Sequence, residues 1–529
     1  MLKKVRVVLA ALFFVLITLL FLDVTGTLHT WFGWMAKIQF IPAVMALNVG
    51  VIVGLVILTI LFGRVYCSVI CPLGVFQDIV SWISSKRKKK KNRFTYSPAI
   101  SWLRYTVLGV FVIAFIAGVG SLVALLDPYG SFGRIASNLL APIYAWGNNL
   151  LSAIAAHFDS YAFYPVDVWI KGGATFVVAI ITFVVIAYLA WRNGRTYCNT
   201  FCPVGTILGF VARFSLFKVS IDTTKCTGCT LCSRRCKASC IDAKNHKIDY
   251  SRCVACMDCV ENCNSDALHY TFMPKPHTEA AVSKPSEKKA NQDAMVQPAL
   301  QTATASVNAR RSFLTIGALL AFGSVVDAQK RKSSNNHQQV NGAQVNKDGG
   351  LTTLVPKKTP HRNTPIVPPG AHSISNFTKH CTACQLCVST CPNGVLRPST
   401  DLMKFMQPEM NYEHGYCRPE CTKCSEVCPT GAIKLITKAD KSATQIGNAV
   451  WVKERCVVLR DGVDCHECER HCPTKAIQLV AVDEKDPETL FTPVINTELC
   501  IGCGACENLC PSRPLSAIYV EGHEMHRTV

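Results

Sequence analysis

Acidic residues are scarce in this chain: 35 Asp and Glu stand against 55 Lys and Arg in 529 residues, and charged residues of both signs make up only 17%. With a mean hydropathy of +0.23, so low a charge density excludes an ordinary soluble single-domain protein and points to a composite chain partly in lipid. Histidine is nearly missing from the apolar half, where only His29 and His157 occur, both outside the apolar runs, which leaves no ligands for haem b. No C-x2-C-H sequence is present, which removes covalent haem c. There is no P-loop, no G-x-G-x-x-G and no hydrolytic triad signature. Lys171-Gly172-Gly173-Ala174-Thr175 bears a faint likeness to a flavin-threonine attachment site, but it opens an apolar run with no flavin domain around it. Neither haem nor flavin is expected.

Cysteine, by contrast, occurs 29 times. Most copies are packed as C-x2-C-x2-C-x3-C, where neighbours three residues apart are poorly placed to form disulfides with one another but can wrap several thiolates around one iron–sulfur cluster. Zinc would show two separated C-x2-C knuckles instead. Six quartets follow, each spaced for one [4Fe–4S] cluster. The first two are Cys226/Cys229/Cys232/Cys236 and Cys253/Cys256/Cys259/Cys263. In such a run the fourth cysteine ligates the other cluster, which assigns Cys226, Cys229, Cys232 and Cys263 to one site and Cys253, Cys256, Cys259 and Cys236 to the second. Cys240 is left over and reads as a buried small residue. Lys237 and Asn264 replace the usual proline after the fourth cysteine.

Four further quartets lie in the carboxy-terminal part: Cys381/Cys384/Cys387/Cys391, Cys417/Cys421/Cys424/Cys428, Cys456/Cys465/Cys468/Cys472 and Cys500/Cys503/Cys506/Cys510. Each last cysteine precedes a proline, and Cys428-Pro429-Thr430-Gly431-Ala432-Ile433 repeats as Cys472-Pro473-Thr474-Lys475-Ala476-Ile477. Irregular gaps in the second and third quartets read as loop insertions. By analogy, the fourth ligand is expected to be exchanged between the first and fourth quartets and between the second and third.

The net charge of +20 resembles a nucleic-acid footprint only until its distribution is considered. Lys86 to Lys91, Lys3, Lys4 and Arg6, and Arg192 and Arg195 all flank apolar stretches, so the charge is a topology signal and no nucleic-acid partner is expected. Val7–Leu22, Ile41–Phe62, Leu103–Leu126 and Ala174–Trp191 approach the length that spans a bilayer. An amino terminus in the cytoplasm puts every basic cluster on that side. The two loops left outside are poor in Lys and Arg, and the second carries Trp146, Tyr161, Phe163, Tyr164 and Trp169, as an interfacial segment would.

At the cytoplasmic ends of the second and fourth stretches a phrase is duplicated: Gly63-Arg64-Val65-Tyr66-Cys67-Ser68-Val69-Ile70-Cys71-Pro72-Leu73-Gly74 and Gly194-Arg195-Thr196-Tyr197-Cys198-Asn199-Thr200-Phe201-Cys202-Pro203-Val204-Gly205. The helical hairpins read as halves of a duplicated unit. Cys67, Cys71, Cys198 and Cys202 either converge on a metal or small cluster, act as two redox dithiols, or are only small residues at helix ends before a proline.

The expected fold is an α-helical membrane domain of four transmembrane helices plus a fifth signal or anchor helix, carrying α+β bacterial ferredoxin-like modules. The order is a membrane domain at 1–215, a two-cluster ferredoxin module at 216–272, a disordered linker at 273–308, a twin-arginine-like helix at 309–328, a second linker at 329–375 and a four-cluster module at 376–529. Arg310-Arg311-Ser312-Phe313-Leu314 and the apolar run to Val326 resemble a twin-arginine export signal, the mark of a pathway for folded, cofactor-loaded domains, with a short buried helix or a plain fifth anchor as the alternative; cleavage after Ala328 stays open.

Residues 1–272 resemble the NapH-like membrane ferredoxin-type subunit of periplasmic nitrate reductase systems, on the four apolar stretches, the twin C-x3-C-P and the two-cluster module. Residues 305–529 resemble its NapG-like partner, so the chain looks like a fusion of the two. The resemblance implies a multi-pass protein of the bacterial inner membrane, its first module cytoplasmic and its second extracytoplasmic. It also implies an electron-transfer component of a quinol dehydrogenase in anaerobic respiration, taking electrons from the quinol pool to an extracytoplasmic cytochrome or reductase. The alternative is a maturation factor that reduces a metal or thiol on a client enzyme.

Overall fold

The computed structural model describes residues 2–23, 26–87, 94–160, 162–273, 355–483 and 489–528. The twin-arginine-like helix at 309–328, the linker at 273–308 apart from its first residue, and most of the linker at 329–375 lie outside the described residues.

Among the described residues, two apolar helices are long enough to cross a membrane: α1 (Leu2–Leu22) and α8 (Gly173–Asn193), 21 residues each. The other two expected spans are interrupted. Ile41–Phe62 breaks where Leu47 turns left-handed and Asn48 caps the next turn by accepting from Val51 N, so the long helix is α2 (Val49–Phe62). Leu103–Leu126 breaks at left-handed Gly118 into α4 (Ser101–Ile116) and α5 (Gly120–Leu126). The duplicated phrase is where these helices fold back: α2 leads through a π-helical segment, Tyr66–Ile70, into α3 (Pro72–Arg87). Likewise α8 leads through α9 (Thr196–Thr200) into α10 (Pro203–Ala212). Each returning helix packs on the other half, α3 on α8 and α10 on α2. Between the halves run α6 (Pro128–Ile135) and α7 (Ala141–His157), joined by a π-helical segment.

The first ferredoxin module sits at the Lys3 end of α1. Its outer strands β1 (Phe217–Ile221) and β4 (Leu268–Phe272) pair antiparallel, as do β2 (Ile241–Asp242) and β3 (Lys247–Ile248). Leu216 N donates to Ile60 O, and Arg195 N to Lys237 O, so the module is stitched to both hairpins. The carboxy-terminal module sits at the Phe21 end, one helix length of about 30 Å away. There β5 (Leu396–Pro398) pairs with β6 (Pro408–Met410), β7 (Thr444–Trp451) with β10 (Ile518–Thr528), and β8 (Ile477–Ala481) with β9 (Phe491–Ile495). Its backbone lies directly on α6: a Cβ at Gly133 would collide with the carbonyl oxygen of Cys384. Arg134 donates to Ala383 O at 3.5 Å, Asn138 to Gln385 Oε1 at 2.9 Å and Lys171 to Val388 O at 2.6 Å. Residues 1–276 and 357–529 thus form one unit. One apolar core runs through it from Cys256 by way of Cys67, Cys71 and Cys202 to Cys381, Cys384 and Cys387.

Candidate functional site

Cluster-binding loops need backbone amides turned toward the sulfurs, and the chain achieves this with left-handed residues on both sides of a quartet's second cysteine. Gly228 and Thr230 flank Cys229, Ala255 and Met257 flank Cys256, Ala383 and Gln385 flank Cys384, and Gly502 and Gly504 flank Cys503; all eight have positive φ. Non-glycine residues rarely adopt this conformation, so its recurrence in the four regular quartets marks one shared loop geometry. Further amides donate to thiols from the strand side: Ala267 to Cys263, Ile433 to Cys428, Ala476 to Cys472, Ala449 to Cys500 and Ala517 to Cys510, at 3.2–3.4 Å. Such N–H···S bonds tune a cluster's potential.

In the first module the cysteines gather as the spacing predicts. Cys226, Cys229, Cys232 and Cys263 line one cavity; Cys236, Cys253, Cys256 and Cys259 line another. Cys240, read as a spare buried residue, also faces the second cavity, its thiol 3.5 Å from that of Cys236. In the carboxy-terminal module the pairing differs from the expectation. Cys391 joins Cys417, Cys421 and Cys424 around one cavity, and Cys428 comes within electrostatic reach of Cys381, Cys384 and Cys387. Cys510 approaches Cys456, Cys465 and Cys468, while Cys472 approaches Cys500, Cys503 and Cys506. The exchange is therefore first with second and third with fourth. Adjacent quartets thus exchange their fourth ligands, the same arrangement as in the first module.

Among the described residues no three Cys, His, Asp or Glu side chains close around a single ion. Zinc, with Zn–S near about 2.3 Å, would draw thiolates tightly together. All-thiolate quartets lining open cavities fit a polynuclear cluster. Near the last quartet, burial pushes Lys357 down to about 8, with the neighbouring Arg513 acting the same way, and its ammonium donates to the carbonyls of Glu507, Asn508 and Cys510.

The four C-x3-C-P cysteines meet in the interior, each at most 5% exposed. The sequence pattern alone assigned no role here to the residues that bring them together. Arg64, in the first hairpin, donates to the carbonyl of Cys198 in the second at 3.3 Å; Arg195, in the second, donates to the carbonyl of Cys67 in the first at 2.7 Å. Gly74 and Gly205 admit these guanidinium groups, since a Cβ on either would overlap the same carbonyls. Gln77 adds a donor to Cys198 Sγ at 3.1 Å. The signal was present in the sequence, because Gly-Arg and C-P-x-G recur in both copies of the repeat.

All-cysteine quartets on ferredoxin loops, held by amide-to-sulfur hydrogen bonds, define an iron–sulfur protein. A family profile described as "4Fe-4S binding domain" matches residues 44–91 and 174–222, and one described as "4Fe-4S dicluster domain" matches residues 380–457 and 463–513. Over 164 residues the chain is 32% identical to the methylamine utilization ferredoxin-type protein MauM of Paracoccus denitrificans, covering 30% of this chain and 73% of that one. It is 29% identical over 161 residues to the ferredoxin-type protein NapF of Escherichia coli strain K12, covering 30% and 87%. To the ferredoxin-type protein NapG of the same strain it is 30% identical over 151 residues, covering 27% and 64%. The chain belongs to the family of ferredoxin-type proteins, electron carriers holding [4Fe–4S] clusters. No solved structure matches it.

Proposed function

We propose that this protein is a membrane-anchored electron relay that draws electrons from quinol and delivers them to an extracytoplasmic acceptor through six [4Fe–4S] clusters and a further centre on Cys67, Cys71, Cys198 and Cys202. The observation that carries this reading is the single core in which cysteines of the first module, the C-x3-C-P group and the carboxy-terminal module follow one another. With α1 and α8 crossing the bilayer, and α2–α3 and α4–α5 completing the helical domain, the two modules fall on opposite faces. The NapH- and NapG-like halves then form one continuous device.

Bound clusters would supply one-electron redox chemistry. The chain's own residues hold them apart at fixed places, exclude water and bias their charge. Arg64 is fully buried, and among the described ion pairs none involves it. A guanidinium without a counter-charge in the interior is costly, so an anionic occupant of the four-cysteine site is favoured. The profile described as a 4Fe-4S binding domain also falls on the segments bearing these four cysteines and ends at 222, before Cys226. Burial of all four thiols supports a relay over a maturation factor, whose working thiols must meet a client. The test is reduction of the purified, cluster-loaded chain with a quinol: bleaching of cluster absorbance with reoxidation by an extracytoplasmic cytochrome supports the reading, and clusters that stay oxidised defeat it.

A further inference from the structure

We infer that a slot between α1 and α3 is the quinol-binding site, an assignment that rests on the proposed relay. The slot measures about 750 Å³, within the range of small-molecule sites. Its walls are apolar, formed by Val7 and Ala10 on α1 and by Val75, Ile79 and Trp82 on α3. Its floor is charged. Asp78 there meets Arg195 at 2.8 Å, Arg6 at 3.1 Å and Lys237 at 3.7 Å, one carboxylate among three cations. The Nε of Arg6 is buried without a hydrogen-bond partner. A ligand for this place has an apolar body and tail and a polar head able to carry negative charge when deprotonated.

The floor is also the wall of a cluster cavity. Lys237 and Asp258 line the slot, while Cys236 and Cys259, next to them in sequence, line the second cavity of the first module. One residue of backbone therefore separates the head of a bound ligand from a cluster. A wide groove at the other end of α1, bordered by Tyr144, Trp169 and Lys171, is more polar and more open. The apolar slot suits a lipid-soluble carrier better.

In the slot a quinol would lose both hydroxyl hydrogens: two O–H bonds break and two C=O bonds form. The two electrons would leave one at a time towards the cavities of the first module, where Cys236, Cys253, Cys256 and Cys259, and Cys226, Cys229, Cys232 and Cys263, would hold the accepting oxidised clusters, and the two protons would leave to water at the Lys3 end. The cations around Asp78 stabilise the intermediate anion.

The experiment uses the full, cluster-loaded chain in lipid nanodiscs with a short-tailed menaquinol and a photoreactive quinone. Ala11 lines the slot and is exposed, so Ala11→Trp plugs it with little effect on folding. Leu12→Trp, on the outer face of α1, is the control. The expected result is at least a tenfold slower reduction by menaquinol in Ala11→Trp only, with reduction by dithionite unchanged and the label on α1 and α3. Unchanged menaquinol reduction in Ala11→Trp, with the label on the Tyr144 groove or competed only by phospholipid, overturns the slot and leaves the relay standing. Failure of menaquinol to reduce the parent chain overturns both.

Discussion

Arg195 grips Asp78 with two hydrogen bonds, at 2.9 and 2.8 Å, whereas the residue that the repeat places at the same position for Arg64 is Gly209, which has no carboxylate to offer. Among the positions where the duplicated hairpins differ, this one changes the partner of the shared arginine. One guanidinium has a carboxylate partner, and among the described ion pairs its twin has none.

Replacing Asp78 with Asn removes the carboxylate shared by Arg195, Arg6 and Lys237. Removing one partner of a buried ion pair costs about 3–5 kcal/mol. Thermal unfolding of the detergent-solubilised protein, followed by near-ultraviolet dichroism, should show a clearly lower midpoint. Gln77→Leu, which leaves the ion cluster intact, should unfold close to the parent.

Cys67→Ser or Cys198→Ser should lower the iron content by one cluster's complement while the ferredoxin paramagnetic signals persist. Elemental analysis combined with electron paramagnetic resonance decides the matter. Full iron retention would leave the C-x3-C-P residues as plain structural thiols.

The neighbour exchange in the carboxy-terminal module predicts which substitutions resemble one another. Cys391→Ser should perturb the same paramagnetic signal as Cys421→Ser, and Cys428→Ser the same signal as Cys384→Ser. If Cys391→Ser instead matched Cys384→Ser, the exchange would be refuted.

His526 is packed into β10 with both ring nitrogens unpartnered, and burial, aided by His372 and His523, pushes it down to about 4. It folds as the neutral imidazole. The unfolded chain takes up the proton first, near about 6.5, so stability from this site is complete above that pH and drains away as pH falls towards 4. The full loss is about 3 kcal/mol, because each tenfold difference in proton affinity between the folded and unfolded chain is worth about 1.4 kcal/mol. Chemical denaturation of the loaded protein at pH 7 and pH 5 should show part of this loss, and His526→Phe should flatten it.

Much of this was legible in the sequence. The ferredoxin quartets and the exchange within Cys226–Cys263 are written in local spacing, because a cluster demands its ligands at short, fixed intervals. Local spacing does not say which distant quartet supplies a fourth ligand, and the expectation for Cys391 and Cys428 failed there. Hydropathy found all four apolar stretches but not the breaks at Leu47 and Gly118, where a single left-handed residue interrupts an otherwise unbroken apolar run. The roles of Arg64 and Arg195 were hidden because each acts on the opposite copy of the repeat.

That crossing has an implication for biogenesis. Each hairpin carries the guanidinium that hydrogen-bonds the cysteine carbonyl of its sibling, so these bonds form only after the second hairpin, some 130 residues later, has been made. The four-cysteine interior is therefore complete only when both hairpins have met.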